Sequence, residues 1–171
     1  SDETARIYLE RELGLQQANR LMAGEVPVWR WRARWFKPPE KEERVVWLTP
    51  AGALAGYQHL IPESAPGARL SQEQAQRIAE QFLAERTRLP HRLIEQQRLE
   101  RPARYDYVFT WEREGFKVKE ATYRRTIVVQ GDRTGEYREG LHVPEQWERD
   151  YAALRSRNDL FATIANSLYV P

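Results

Sequence analysis

The chain spells one short pattern twice. Ala51-Gly52-Ala53-Leu54-Ala55-Gly56-Tyr57 is closed by Ile61-Pro62-Glu63, and Gly131-Asp132-Arg133-Thr134-Gly135-Glu136-Tyr137 is closed by Val143-Pro144-Glu145. Each copy follows an apolar, β-branched run and precedes a stretch with helical spacing. A glycine turn after one strand, a second strand, and a proline at the foot of a helix make one supersecondary unit. Two copies constrain the fold more tightly than composition does, because they imply two small sheet-and-helix modules in tandem.

The match extends upstream. Ala5-x-x-Tyr8-Leu9 answers Ala79-x-x-Phe82-Leu83, and residues 45–49 answer 125–129. Trp29, Trp31, Ala33 and Trp35 answer Tyr105, Tyr107, Phe109 and Trp111. Period-two alternation sets each of these aromatic rows on one strand face, with Arg30, Arg32 and Arg34 opposite the first. A one-residue slip would break the correspondence. The competing explanation is chance, since glycine turns and Pro-Glu helix starts are common.

Local signals fill in the rest. Asp2 and Gly14 bracket a helix carrying Ala5, Tyr8, Leu9 and Leu13. Strands are expected over 26–36, 43–49 and 54–60, with a linker at 62–67. Ser71 and Gln74 form a capping box for a helix through Ala75, Ile78, Ala79, Phe82 and Leu83, ended by Pro90. Further strands are expected over 93–99, 105–111, 121–130 and 136–143. Pro144 then opens a long helix whose stripe is Trp147, Tyr151, Leu154, Asn158, Phe161, Ala165 and Leu168. The expected class is α+β: two tandem helix-plus-antiparallel-sheet units, 1–63 and 70–145, then a C-terminal helix over 146–171. Trp29, Trp31, Trp35, Tyr105, Tyr107, Phe109 and Trp111 are the expected sheet–helix cores.

Composition narrows the function. At 171 residues the chain buries roughly 70% of its unfolded surface, enough for a core without staples. It has no cysteine, which excludes disulfides, thiolate metal sites and thiol nucleophiles. A net charge of +2 makes no case for nucleic acid. Its polar opening, Ser1-Asp2-Glu3-Thr4, and its apolar close, Leu168-Tyr169-Val170-Pro171, lead to the expectation of a segment of a longer protein; the terminal helix either packs back on the sheets or leads toward a membrane, with Tyr169 at its interface.

Catalytic patterns are thin. His59, His91 and His142 lie far apart, with no HExxH spacing, phosphate loop or nucleophile elbow. Glu42-Glu43 lies beside Lys41 and Arg44 and reads as a solvated charge cluster. No catalytic residue, cofactor or metal ligand is therefore assigned. The sharpest polar feature is the Arg30, Arg32, Arg34 row, spaced about 7 Å apart on one strand face. It has two readings. It is a solvated face paired to neighbouring acids such as Glu43, or it contacts carboxylate, phosphate or an anionic surface. Nucleic-acid binding would want the aromatics on the arginine face, and they lie opposite.

Some of these residues resemble a known family. Residues 75–83, the 105–111 strand with Trp111-Glu112-Arg113, and Val129-Gln130-Gly131-Asp132 through Val143-Pro144-Glu145-x-Trp147 resemble a PepSY-like unit, one helix on a small antiparallel sheet. Arg34-Trp35-Phe36-Lys37, Ile61-Pro62-Glu63-x-Ala65-Pro66-Gly67-Ala68-x-Leu70 and Trp147-Glu148-Arg149-Asp150-Tyr151 resemble the extracytoplasmic region of bacterial CPBP-type intramembrane metalloproteases, also described as CAAX-protease or abortive-infection-like. That family's catalytic pattern is a paired Glu with Arg four residues on. Here Glu42-Glu43 has Trp47 at that place, so no catalytic residue carries over. The resemblance implies a non-catalytic, membrane-tethered extracytoplasmic domain that regulates or feeds a membrane protease. Its partners would be the membrane-embedded part of the parent protein and a peptide or protein substrate, with Arg30, Arg32 and Arg34 as ligand contacts. The alternative is a free-standing periplasmic peptide-binding or protease-inhibitor module.

Overall fold

Glycine turns and capping residues divide the chain into its elements. The computed structural model describes residues 2–39 and 41–168, with 158–168 as backbone only. Among these residues the order is α1 (Glu3–Leu13), α2 (Leu15–Ala23), β1 (Trp31–Phe36), β2 (Glu43–Leu48), β3 (Leu54–Leu60), α3 (Gln72–Arg86), β4 (His91–Arg101), β5 (Arg104–Val118), β6 (Ala121–Gln130), β7 (Arg133–His142) and α4 (Glu145–Leu168). The fold is α+β. Its strands form one antiparallel sheet in the order β1-β2-β3-β7-β6-β5-β4.

Local chemistry accounts for most boundaries. Asp2 caps α1 by accepting from the Ala5 amide at 3.1 Å. Ser71 and Gln74 close the expected capping box on α3. Gly14 does end α1, at φ 75°, but its carbonyl accepts from Ala18 and the chain turns straight into α2. That second helix lies in a stretch to which the sequence reading assigns no element; Ala18 and Met22, both buried and four apart, were its signal. The doubled glycines perform matching tasks. Gly52 and Gly131 both sit in turns at positive φ. A Cβ at Gly56 would press on the Trp47 ring, and one at Gly135 would overlap the Gln130 side chain, so each leaves room for a residue of the preceding strand.

Both cores lie on one face of the sheet. Buried residues alternate along β6 as Tyr123, Ile127 and Val129 with Arg125 between, which fixes that face. Ala75, Ala79 and Leu83 of α3 pack on Tyr107, Phe109, Trp111, Ile127, Val129 and Tyr137. The two alanines are fully buried and let the helix approach closely. Ala5, Tyr8 and Leu9 of α1 pack with α2, Val26 and Val28 on Val118, Ala121, Tyr123 and Leu141. The Tyr8 hydroxyl donates to the Val118 carbonyl at 3.0 Å. Thus α1 sits over the far ends of β5–β7, rather than over β1–β3 as the upstream correspondence implies. The start of α4 returns to α1: Trp147 meets Tyr8 edge-on at 4.9 Å, donates to Glu12 at 2.9 Å, and stacks on Tyr151 at 5.2 Å. The side chains of Asn158, Phe161, Ala165 and Leu168, and Tyr169 itself, lie outside the described residues.

The linker at 62–67 is docked rather than free. Arg104 is 2% exposed and pairs with Asp106 at 2.8 and 3.1 Å. Its third nitrogen donates to the carbonyls of Pro62, Glu63 and Ala65. Gly67 and Ala68 add backbone bonds to Ala103 and Tyr105. Replacing Arg104 with Met leaves Asp106 with only the Arg101 contact and frees three carbonyls. The expected loss is about 3–5 kcal/mol, the cost of breaking a buried ion pair from one side. Urea denaturation checks it, with faster proteolysis within 62–68 as the local signature.

Candidate functional site

The sheet has two edges, β1 and β4, and they differ in chemistry. Positions 92–98 of β4 carry Arg92, Glu95, Gln96, Gln97 and Arg98 beside Leu93 and the exposed Ile94, a mostly polar edge with charges of both signs. Every residue of β1 is exposed: Trp31 is 71% accessible, Trp35 56% and Phe36 58%, with Trp29 just upstream at 52%.

Register shows how this arises. Ala33, Val46, Tyr57, Tyr137, Ile127 and Phe109 are directly paired in one row across the sheet, so they share the helix-bearing face. Trp31 and Trp35 flank Ala33 on that face, as their alternation implies. The cover is what differs from expectation. Helix α3 lies over β5, β6 and β7, and its reach toward β1 extends to Phe82 against Tyr57, 6.4 Å between rings. Trp29, Trp31 and Trp35 are therefore not core residues, and that expectation is corrected. Tyr107, Phe109 and Trp111 are buried as expected, with Tyr105 partly so.

The three arginines do not act as one row. Arg30 precedes β1, and its Nη2 donates to the Glu139 carbonyl at 2.7 Å, tying the start of β1 to β7. Arg34 forks onto Glu43 at 2.6 and 2.7 Å and lies over the Phe36 ring. The Arg34 hydrogen bond, with the charges of Arg34 and Arg32, holds the Glu43 carboxyl below its ordinary range. Arg32, paired in register with Trp47, is exposed on the face opposite Trp31 and Trp35. A recess of about 380 Å³ lined by Trp35, Phe36, Lys37 and Glu42–Arg44 lies at one end of β1. At the other end Met22, Pro27, Trp29, Pro50 and Ala53 line a more apolar one of about 410 Å³. The arrangement offers a free backbone edge, two indoles on one face, and guanidinium groups on the other.

The histidines stay apart. His59 bonds Glu42 at 2.7 Å, and Glu42 also pairs with Arg44, so the Glu42-Glu43 pair is a charge cluster. Among the described residues no three metal-ligating side chains converge. His91 belongs to a buried polar bridge that sequence reasoning missed. Arg125, 8% exposed, donates to Glu139 at 2.9 Å and to His91 Nε2, and Tyr137 donates to Glu139 at 2.8 Å. Burial and the Glu139 charge push the Tyr123 and Tyr137 hydroxyls far above the ordinary range, which keeps both protonated. Strict alternation with Tyr123, Ile127 and Val129 was the available signal that Arg125, not Arg124, faces inward. Comparison with protein families, curated proteins and solved structures returns no match to the chain.

The bridge sets a pH response. His91 Nε2 accepts from Arg125, so Nδ1 carries the proton donated to the Leu89 carbonyl at 2.6 Å. Burial, then the Arg125 charge, lowers the His91 pKa below 6.5, and partial desolvation and Arg124 move His142 the same way. A base whose pKa falls on folding binds fewer protons folded than unfolded, so stability rises with pH through this window. Full stability is expected above about pH 7, with a decline as pH falls through the ordinary histidine range. Glu42 and Glu43 are shifted below their ordinary values, by His59 and Arg34 respectively, and act only at lower pH. Urea midpoints between pH 8 and 5 check this, with His91→Gln expected to flatten the profile.

Proposed function

We propose that this chain is a non-catalytic, extracytoplasmic domain that regulates or presents substrate to a membrane-embedded metalloprotease, and that it binds peptide or polypeptide by strand addition at β1. The observation that carries the reading is the β1 edge itself: six exposed residues, one backbone side unpaired among the described residues, and Trp31, Trp35 and Phe36 uncovered. An added strand would satisfy the free N–H and C=O groups and bury the aromatics in one step. The residues Arg34-Trp35-Phe36-Lys37, part of the CPBP-type resemblance, lie on this edge.

The tandem PepSY-like arrangement, 1–63 and 70–145, belongs to the same proposal. It is supported by the order β1-β2-β3 followed by β7-β6-β5, two strand triplets laid about a central pair. Tyr57 and Tyr137, equivalent in the doubled pattern, face each other across that pair. The non-catalytic reading follows from the resemblance, whose paired Glu with Arg four residues on is not met at Glu42-Glu43, where Trp47 stands. Among the described residues no helix is long and apolar enough to cross a membrane, and on this reading the membrane-embedded part is the partner.

A displayed library of extended peptides should yield binders whose amide NMR shifts concentrate in β1 and β2. Trp31→Ser should weaken them by about tenfold or more, the effect of losing one aromatic anchor, at an unchanged melting temperature. Binders that map to α4 or the β4 edge, or an unaffected Trp31→Ser variant, would sink the reading.

A further inference from the structure

Recognition at β1 can be read more finely, and this step rests on the strand-addition reading above. Trp31, Ala33 and Trp35 share one face, so the two indoles are spaced about 13 Å apart along the strand with only a methyl group between them. Val46 lies beside Ala33 on the same face, which gives the gap an apolar flank. The opposite face presents Arg32 and Arg34. Arg34 is already forked onto Glu43, and Glu42 is taken by Arg44 and His59. Arg32 is the exposed guanidinium left to meet an incoming strand.

We propose that β1 takes an antiparallel strand bearing a large apolar residue opposite Ala33, between the two indoles, followed at once by Asp or Glu opposite Arg32. In antiparallel pairing the residue after the one facing Ala33 faces Arg32, and the residue before it faces Arg34. Directly opposed side chains lie about 5 Å apart at Cβ, within reach of a guanidinium–carboxylate pair. Antiparallel pairing continues the direction of every other ladder in the sheet.

The same residues argue against two other occupants. A second copy pairing β1 to β1 about Ala33 would set Arg32 against the other copy's Arg34, like charges directly opposed on an edge. A bilayer would bury the unpaired N–H and C=O groups of β1 without partners, at several kcal/mol each. A strand satisfies those groups and also supplies the carboxylate.

The test uses the full chain and a cyclised hairpin peptide presenting Val-Thr-Leu-Asp-Val, with Leu to face Ala33 and Asp to face Arg32. Binding is expected, and exchanging the Asp for Lys should weaken it by about tenfold, the lower range for a charge-assisted hydrogen bond. The reversed order, Val-Asp-Leu-Thr-Val, aims the acid at Arg34 and should also bind more weakly. Arg32→Glu should invert the preference toward the Lys peptide. Ala33→Trp should fill the gap and abolish binding of the Leu peptide at an unchanged melting temperature, since Ala33 is exposed. If the Lys and Asp peptides bind equally at β1, the acidic specificity is overturned while strand addition stands. If no peptide binds β1, or the chain binds phosphatidylglycerol vesicles through Trp31 instead, both readings fall.

Discussion

Three backbone pairings carry β1–β3 onto the rest of the molecule: Gly56 with Arg138, Tyr57 with Tyr137, and Gln58 with Glu136. The ladders on either side are much longer, so this seam is where the sheet could most easily part. Its reinforcement comes from outside the backbone. Phe82 of α3 sits 6.4 Å from the Tyr57 ring and 5.5 Å from the Tyr137 ring, spanning the seam on the helix-bearing face. Gln58 donates to Glu136 at 3.1 Å on the other face. Arg30 reaches the Glu139 carbonyl and holds the approach to β1. The position of the exposed edge depends on these few contacts, because among the described residues the main helix packing falls on β5, β6 and β7.

What a sequence can show of this fold follows from the range of each interaction. The Ser71–Gln74 capping box and the glycine turns at Gly52 and Gly131 are local, and the reading matched them. The bounds of β3 and β6 were matched as well, since strict alternation between turn residues is also local. Alternation also placed Trp31 and Trp35 on the correct face. It could not say that α1 would dock over Tyr123 and Leu141 instead of over β1, because that choice rests on contacts distant in sequence. Arg30, Arg32 and Arg34 look alike in the chain, yet one is a strut to β7, one is forked onto Glu43, and one is exposed. Spacing alone carries no such distinction.

The polar bridge has a related cause. Arg125 stands where an aliphatic residue would continue the pattern of Tyr123, Ile127 and Val129, and it falls between the two apolar clusters. A buried charge is costly unless it is partnered, and Arg125 donates to Glu139 and His91 and lies over the Tyr123 ring. A one-residue slip of β7 against β6 would remove Glu139 from Arg125 and turn Tyr137 and Leu141 out of their clusters. The bridge thus penalises misregistered pairing, and register is what carries β3, and with it β1, to its place.

The two edges then present opposite solutions to one problem. An unpaired strand invites association, and β4 meets the risk with long polar side chains of both signs. Strand β1 uses a narrower defence. Pro27 precedes it, Pro38 and Pro39 follow it, and both of its charged residues, Arg32 and Arg34, are positive, which opposes pairing with a second copy. Those devices limit length and exclude self-association, but they leave the indoles of Trp31 and Trp35 in water. Exposed aromatic surface of this kind is unfavourable for a lone domain and is ordinarily replaced by polar residues unless contact requires it. Polar residues at these positions would satisfy the edge defence equally well, so the fold alone does not require the tryptophans, whereas the proposed partner strand would. On the strand-addition proposal, the guard that remains would discriminate by charge, admitting a strand that brings a carboxylate and opposing one that brings another arginine.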